Sequence, residues 1–157
     1  MSAGRSALVL AGVTALLVFA LDQLSKVWVR ANVVVGERRD ILGPLDLVNV
    51  RNKGVAFGAL TGAGWIVPAL TVVALLGVSV WFARTPTAAW AWLPAGLVVG
   101  GALGNLCDRL AHGQVTDFIK VPYWPAFNVA DIAITCGVIL LILVAEFDGR
   151  NPKSPSS

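Results

Sequence analysis

Four long apolar stretches divide this chain, and the polar residues that interrupt the pattern gather where the stretches end. A helix needs about 20 predominantly apolar residues to cross the hydrocarbon of a bilayer, and each stretch is read against that length. The first runs from about Ser6 through Leu21 and continues through Asp22 and Lys26 to Arg30. The second is Trp65 to Ala83, wholly uncharged. The third runs from about Ala88 to Leu110, uncharged until Asp108, with Gly100 and Gly104 placing small residues four apart for close helix contact. The fourth is too short if it begins at Ile132, so it is predicted to start near Asn128, which puts Asp131 inside the helix. The expected fold is an all-α membrane protein with four transmembrane helices and a small β-containing element in loop one. Residues 1–147 form one four-helix domain, and residues 148–157 form a polar, Ser- and Pro-rich tail expected to be disordered.

Loop one, residues 31–64, is long enough to carry structure of its own. Asp40 to Val50 has branched and apolar residues around a Gly43-Pro44 turn signal, which predicts a short hairpin at the membrane surface. The string from Asn52 to Gly58 that follows is of another kind. Gly54 and Gly58 flank an apolar segment and allow close backbone approach, while Asn52 offers both a donor and an acceptor. An ordinary glycine turn explains the string equally well.

Composition strengthens the membrane reading. Of 157 residues, 57% are hydrophobic and 13% charged, against about 25% charged in soluble domains. The mean hydropathy is +0.77. Arg5 before an apolar run resembles the start of a secretory signal, but three later spans favour an uncleaved first helix. The net charge of +3 comes from scattered basic residues without interleaved aromatics, which argues against a nucleic-acid partner.

Four crossings place loop one and loop three, residues 111–127, on one side, with both termini on the other. Every polar motif then falls on the loop-one side: Asp22 and Lys26, Asn52, the trio Asn105, Asp108 and Arg109, and Asp117, Asn128 and Asp131. Such clustering marks a working face. The count of Lys and Arg near span ends opposes Arg5, Arg84, Arg150 and Lys153 to Arg30, Arg38, Arg39, Arg51, Lys53 and Lys120, and taken alone it turns the working face toward the cytoplasm.

Each motif also has a bland reading. Asp22 and Lys26 stand i,i+4 and fit an ion pair on a helix surface near the interface. Asn105, Asp108 and Arg109 share one helical face and fit a network that holds a helix end. Asn128 and Asp131 fit a capping box, and Asp117 fits a loop or turn. Taken together, Asp117 and Asp131 suggest more, because two acids brought to one membrane edge are costly without a reason. Two facing carboxyls that share a proton can activate water, one as general base and the other as a neutral donor to a carbonyl oxygen.

At this point a family resemblance emerges. Asp22 to Lys26 (DQLSK), Asn52 to Gly58 (NKGVAFG), Gly100 to Leu110 (GGALGNLCDRL), Val115 to Ile119 (VTDFI) and Phe127 to Ile134 (FNVADIAI) resemble, in order and spacing, the signature of bacterial lipoprotein signal peptidase, or signal peptidase II. The resemblance implies that Asp117 and Asp131 are a catalytic dyad. It further implies that Asn52, Gly54, Asn105, Arg109 and Asn128 bind substrate or support the site, and that Asp22, Lys26, Gly104 and Asp108 maintain its framework. The implied substrate is a prolipoprotein whose Cys bears a diacylglyceryl group, cut on the amino side of that Cys. Loop one would be a cradle over that substrate. The implied setting is the bacterial cell membrane, with an extracytoplasmic active face and cytoplasmic termini, an orientation that the charge count opposes. No cofactor, no metal and no obligate protein partner are expected, and a monomer is the default.

Other chemistries fit less well. A metalloprotease commonly needs HExxH, and the chain has one histidine, His112. Ser25 and Lys26 are adjacent and point apart on a helix. Cys107 with His112 has no evident third group to orient it, and two cysteines on different helices make no disulfide framework. The competing class is a small transporter that relays protons or cations through intramembrane acids. Its acids should lie near mid-membrane, whereas these sit at one edge. A non-enzymatic scaffold leaves the paired acids unexplained.

Overall fold

Helix α1 runs from Ala3 to Asn32 and sends an almost unbroken apolar surface outward. Leu8, Val13, Leu16, Leu17, Leu21 and Leu24 are all exposed, which in water would be a large unsatisfied patch and in lipid is a fitting one. The computed structural model describes residues 3–53, 66–84 and 90–150. Beyond α1 it contains strands β1 (Arg38–Leu42) and β2 (Leu45–Asn52), helices α2 (Ile66–Arg84) and α3 (Trp92–His112), strand β3 (Val115–Lys120) and helix α4 (Val129–Arg150). The helices Gly4–Asn32 and Val129–Phe147 are long and apolar enough to cross a membrane, and α2 contains a shorter apolar run, Thr71–Phe82. Helix α4 starts immediately after Asn128, so Asp131 lies within its first turn, as its length required. It continues through Arg150, into the segment expected as tail; Gly54 and residues 151–157 lie outside the described residues.

Helix α3 is central because its small residues let neighbours come close. A Cβ on Gly100 would sit 2.5 Å from the carbonyl oxygen of Ala15 in α1, one on Gly104 would sit 2.5 Å from an Asp22 carboxylate oxygen, and one on Gly101 would sit 2.6 Å from the carbonyl oxygen of Ala130 in α4. Glycine is thus used here for approach. Since the Ala15 backbone cannot yield to a side chain, Gly100→Val should destabilise by about 1–3 kcal/mol, the usual cost of overpacking. A thermal midpoint equal to that of the unaltered protein would contradict this α1–α3 contact.

The sheet is antiparallel, in the order β1-β2-β3. The hairpin expected in loop one is present, with Leu42 opposite Leu45 and Gly43 at a φ of 55° in the turn between them. Strand structure was expected in loop one alone, however, and β3 belongs to loop three. The VTDFIK segment has the branched and aromatic residues of a strand, but it is inward-facing on both sides over Val115 to Phe118, so the alternation that advertises a strand is missing. Its backbone pairs with β2, with Val50 opposite Asp117 and Arg51 opposite Thr116. A small apolar cluster of Val29, Val33 and Phe118, joined by Leu47, Ile119 and Val129, seats the sheet on the end of α1 and the start of α4.

Candidate functional site

Asp117 and Asp131 reach the same place by different local routes. Helix α3 ends at Gly113, whose φ of 69° supplies the left-handed cap and whose N–H donates to the Arg109 carbonyl. Strand β3 begins two residues later, and Asp117 is at its middle, 2% exposed. It is neither a loop nor a turn residue. The chain returns along β3, with the Phe127 N–H donating to the Ile119 carbonyl at 2.9 Å, and enters α4. There the capping box forms as the sequence suggested. The Asp131 N–H donates to Asn128 Oδ1 at 3.0 Å, and the Asn128 N–H donates to Asp131 Oδ2 at 3.2 Å.

Asn128 also joins the two acids. Fully buried, it donates through Nδ2 to Asp117 Oδ1 at 2.7 Å while its own cap holds Asp131. The second Asp117 oxygen accepts Asn52 Nδ2 at 2.9 Å. Asn105 Nδ2 donates to Asp131 Oδ1 at 2.8 Å, and Asn105 Oδ1 accepts from Asn128 Nδ2 at 3.2 Å and from Lys26 Nζ at 2.9 Å. Because an ammonium can only donate, Lys26 fixes which end of the Asn105 amide faces Asp131. Asn52, Asn105, Asn128 and both acids therefore form one hydrogen-bonded set. Burial pushes the Asp117 carboxyl up to about 6; the Asp131 charge adds to that shift, and the Asn52 and Asn128 hydrogen bonds and the Lys26 charge oppose it.

Beneath this set lies an ionic layer that sequence spacing placed on the surface. Asp22 and Lys26 are not a surface pair: both are 0% exposed and 2.7 Å apart, facing α3 and α4. Helix α1 turns this stripe inward because α3 carries Gly104 opposite Asp22. Asp22 Oδ1 accepts the Ala130 N–H of α4 at 2.9 Å, and Gln23 Nε2 bridges Asp22 and the Gly104 carbonyl, 3.1 Å from each. Asp108, also fully buried, lies 3.6 Å from Lys26 and 3.3 Å from Arg30, and it accepts the Thr116 N–H at 3.0 Å. Thr116 Oγ1 accepts from Arg30 at 3.3 Å and from Arg51 at 2.9 Å.

Arg109 lies half-buried beside the acids. It donates through Nη1 to the Asn105 carbonyl at 3.4 Å, and its buried Nε has no partner among the described residues. Thr116, Gln23, Arg30 and Arg51 were not anticipated. Gln23 and Thr116 lie inside the DQLSK and VTDFI strings without having been singled out, and Arg30 extends the i,i+4 stripe of Asp22 and Lys26 by one more step. Among the described residues no group of three or more His, Cys, Asp or Glu side chains is arranged to hold a metal ion. Two carboxyls tied into one network of asparagine amides, with Asp117 raised to about 6, can hold a water as base and acid together.

A family model described as signal peptidase (SPase) II matches residues 14–147. The chain is 44% identical over 141 residues to a lipoprotein signal peptidase of Syntrophomonas wolfei, covering 88% of this chain and 93% of that one. It is 42% identical over 144 residues to a lipoprotein signal peptidase of Moorella thermoacetica, covering 88% and 96% of the two. In three dimensions it is similar to a solved bacterial membrane enzyme, with a TM-score of 0.81 and 28% identity over 94% of this chain and 93% of the other. A second such structure gives a TM-score of 0.79 at 29% identity, over 86% and 91%.

Proposed function

The chain belongs to the signal peptidase II family, and from that premise we propose that Asp117 and Asp131 are the catalytic dyad of this membrane-bound aspartic peptidase. It removes signal peptides from prolipoproteins. The observation that carries the dyad is Asn128, whose side chain donates to the Asp117 carboxyl and accepts the Asp131 N–H while its backbone N–H donates to the Asp131 carboxyl, so that one residue positions both acids. A water held between them loses a proton to one carboxylate as its oxygen bonds to the scissile carbonyl carbon. The other carboxyl, protonated, donates to the carbonyl oxygen. Collapse of the tetrahedral intermediate breaks the C–N bond, and the leaving nitrogen takes the proton. Arg109, whose Nε has no partner among the described residues, is placed to donate to a substrate oxygen, and Asn52 and Asn105 hold the carboxyls for attack.

The finer reading follows the same logic. The substrate carries a diacylglyceryl group on the Cys after the scissile bond, whose acyl chains stay in lipid while the peptide reaches the polar edge. All four helices cross the cell membrane, the site opens to the extracytoplasmic face, both termini are cytoplasmic, and the chain works as a monomer. The excess of Lys and Arg on the motif side includes Arg30 and Arg51, which hold Thr116 inside the protein and so are spent on structure.

The test is cleavage of a diacylglyceryl precursor peptide by the purified protein in detergent. Cleavage before the lipidated Cys, unchanged by EDTA, is expected. Loss of activity with EDTA and its return with a divalent cation would overturn the two-carboxylate mechanism. Proton-driven uptake without cleavage would favour a transporter.

A further inference from the structure

The two carboxyls of the proposed dyad are not equivalent, and their surroundings assign their roles. Asp131 occupies the first turn of α4, where the helix N-terminus favours negative charge. It is only half-buried and accepts the Asn128 backbone N–H and the Asn105 amide. That amide is itself held by an ammonium, Lys26, which is 0% exposed and bonded to the far end of the same group. A cation on the carbonyl end of an amide draws electron density from its nitrogen and makes its N–H a stronger donor. The guanidinium of Arg109 in α3 acts on both acids and is hydrogen-bonded to neither, so it does not distinguish them.

Among the described residues, Asp117 has neither a helix N-terminus nor a cation-held amide in contact with it. It sits in a strand, which has no comparable dipole, and its partners are the neutral amides of Asn52 on β2 and Asn128 before α4. The charged groups that face it are Lys26 from α1 and Arg109 from α3, neither of them bonded to it, and Asp131 from α4, which opposes its ionisation. Burial raises it in the same direction, to about 6.

We infer that Lys26, acting through the Asn105 amide, keeps Asp131 ionised as the base that takes the proton from water, while Asp117 holds the shared proton and donates it to the substrate carbonyl. This rests on the dyad proposed above and adds the direction of proton flow. As the water oxygen bonds to the carbonyl carbon, its proton passes to Asp131, and Asp117 gives its own to the carbonyl oxygen. On collapse Asp131 protonates the leaving nitrogen as the C–N bond breaks, and a hydroxyl of the intermediate returns a proton to Asp117. Both carboxyls end as they began. Lys26 and Asn105 are positioning residues in this scheme.

Carboxyl-directed reagents read the assignment on the intact enzyme. A diazoacetyl ester with copper(II) esterifies a protonated carboxyl, whereas an epoxide such as 1,2-epoxy-3-(p-nitrophenoxy)propane is opened by a carboxylate. At pH 5 to 6 in detergent, peptide mass mapping should find the diazo label on Asp117 and the epoxide label on Asp131. Reversed labels, or both reagents divided equally between the two residues, would overturn the assignment and leave the dyad intact. Labels on neither residue, together with full cleavage by Asp117→Asn and Asp131→Asn, would overturn the dyad itself. Asn105→Ala, or Asn105→Ser where the alanine variant does not accumulate, should lower the epoxide preference for Asp131 at least several-fold. An unchanged preference in a folded variant would remove Lys26 and Asn105 from the relay.

Discussion

Asp131→Asn is expected to abolish cleavage of a diacylglyceryl precursor, with kcat falling by at least about 10⁴-fold, while the protein remains folded in detergent. General acid–base groups contribute typically 10²–10⁴-fold, and residues that act as a unit lose most of that unit's effect when either is removed. An amide at position 131 cannot take a proton from water. Its oxygen can still accept one of the two donors that now reach Asp131, Asn105 Nδ2 at 2.8 Å and the Asn128 N–H at 3.2 Å, so the helix start survives. The structural cost should stay near the 1–3 kcal/mol of one unsatisfied group. Asp117→Asn should be comparably inactive, because both Asp117 oxygens accept amide N–H groups and an asparagine there must turn its own NH₂ toward one of them. Thermal unfolding and size-exclusion profiles separate the two effects. Full cleavage by either folded variant would remove that residue from the dyad.

How legible this site was depended on the range of each interaction. The capping box of Asn128 and Asp131 is local, three residues apart, and its spacing announced both the helix start and the acid within it. The small residues of α3 were equally plain, since a four-residue step means close approach whatever lies opposite. Asp117 was harder: its strand is buried on both faces over Val115 to Phe118, so no alternation marked it, and its partner β2 is more than sixty residues away. The Asp22 and Lys26 spacing fits an exposed pair and a buried one equally. Only the position of Gly104 across the α1–α3 contact decides that the stripe faces inward. Nothing around Thr116 in the VTDFI string told its role, which consists of an N–H given to Asp108 and a hydroxyl oxygen that accepts from two arginines of other elements.

The buried ionic layer makes Lys26→Met the substitution with the largest expected effect on stability. Lys26 is the cation nearest Asp22, at 2.7 Å, and it also lies 3.6 Å from Asp108; both carboxylates are fully buried. Arg30 remains for Asp108, at 3.3 Å, but among the described residues Asp22 would keep only neutral donors, Gln23 and the Ala130 N–H. Breaking a buried pair by removing one partner costs about 3–5 kcal/mol, chiefly because a charge is left uncompensated, and that is a large part of a marginal stability. The variant should unfold at a clearly lower temperature or fail to accumulate. Adding Asp22→Asn to it should recover part of the loss, since the neutral amide no longer needs a cation, whereas two independent losses would simply add. The double variant should still cleave poorly, because Asn105 has lost the ammonium that fixed its amide toward Asp131. A stable and fully active Lys26→Met protein would show that the layer beneath the carboxyls carries neither the fold nor the orientation of Asn105.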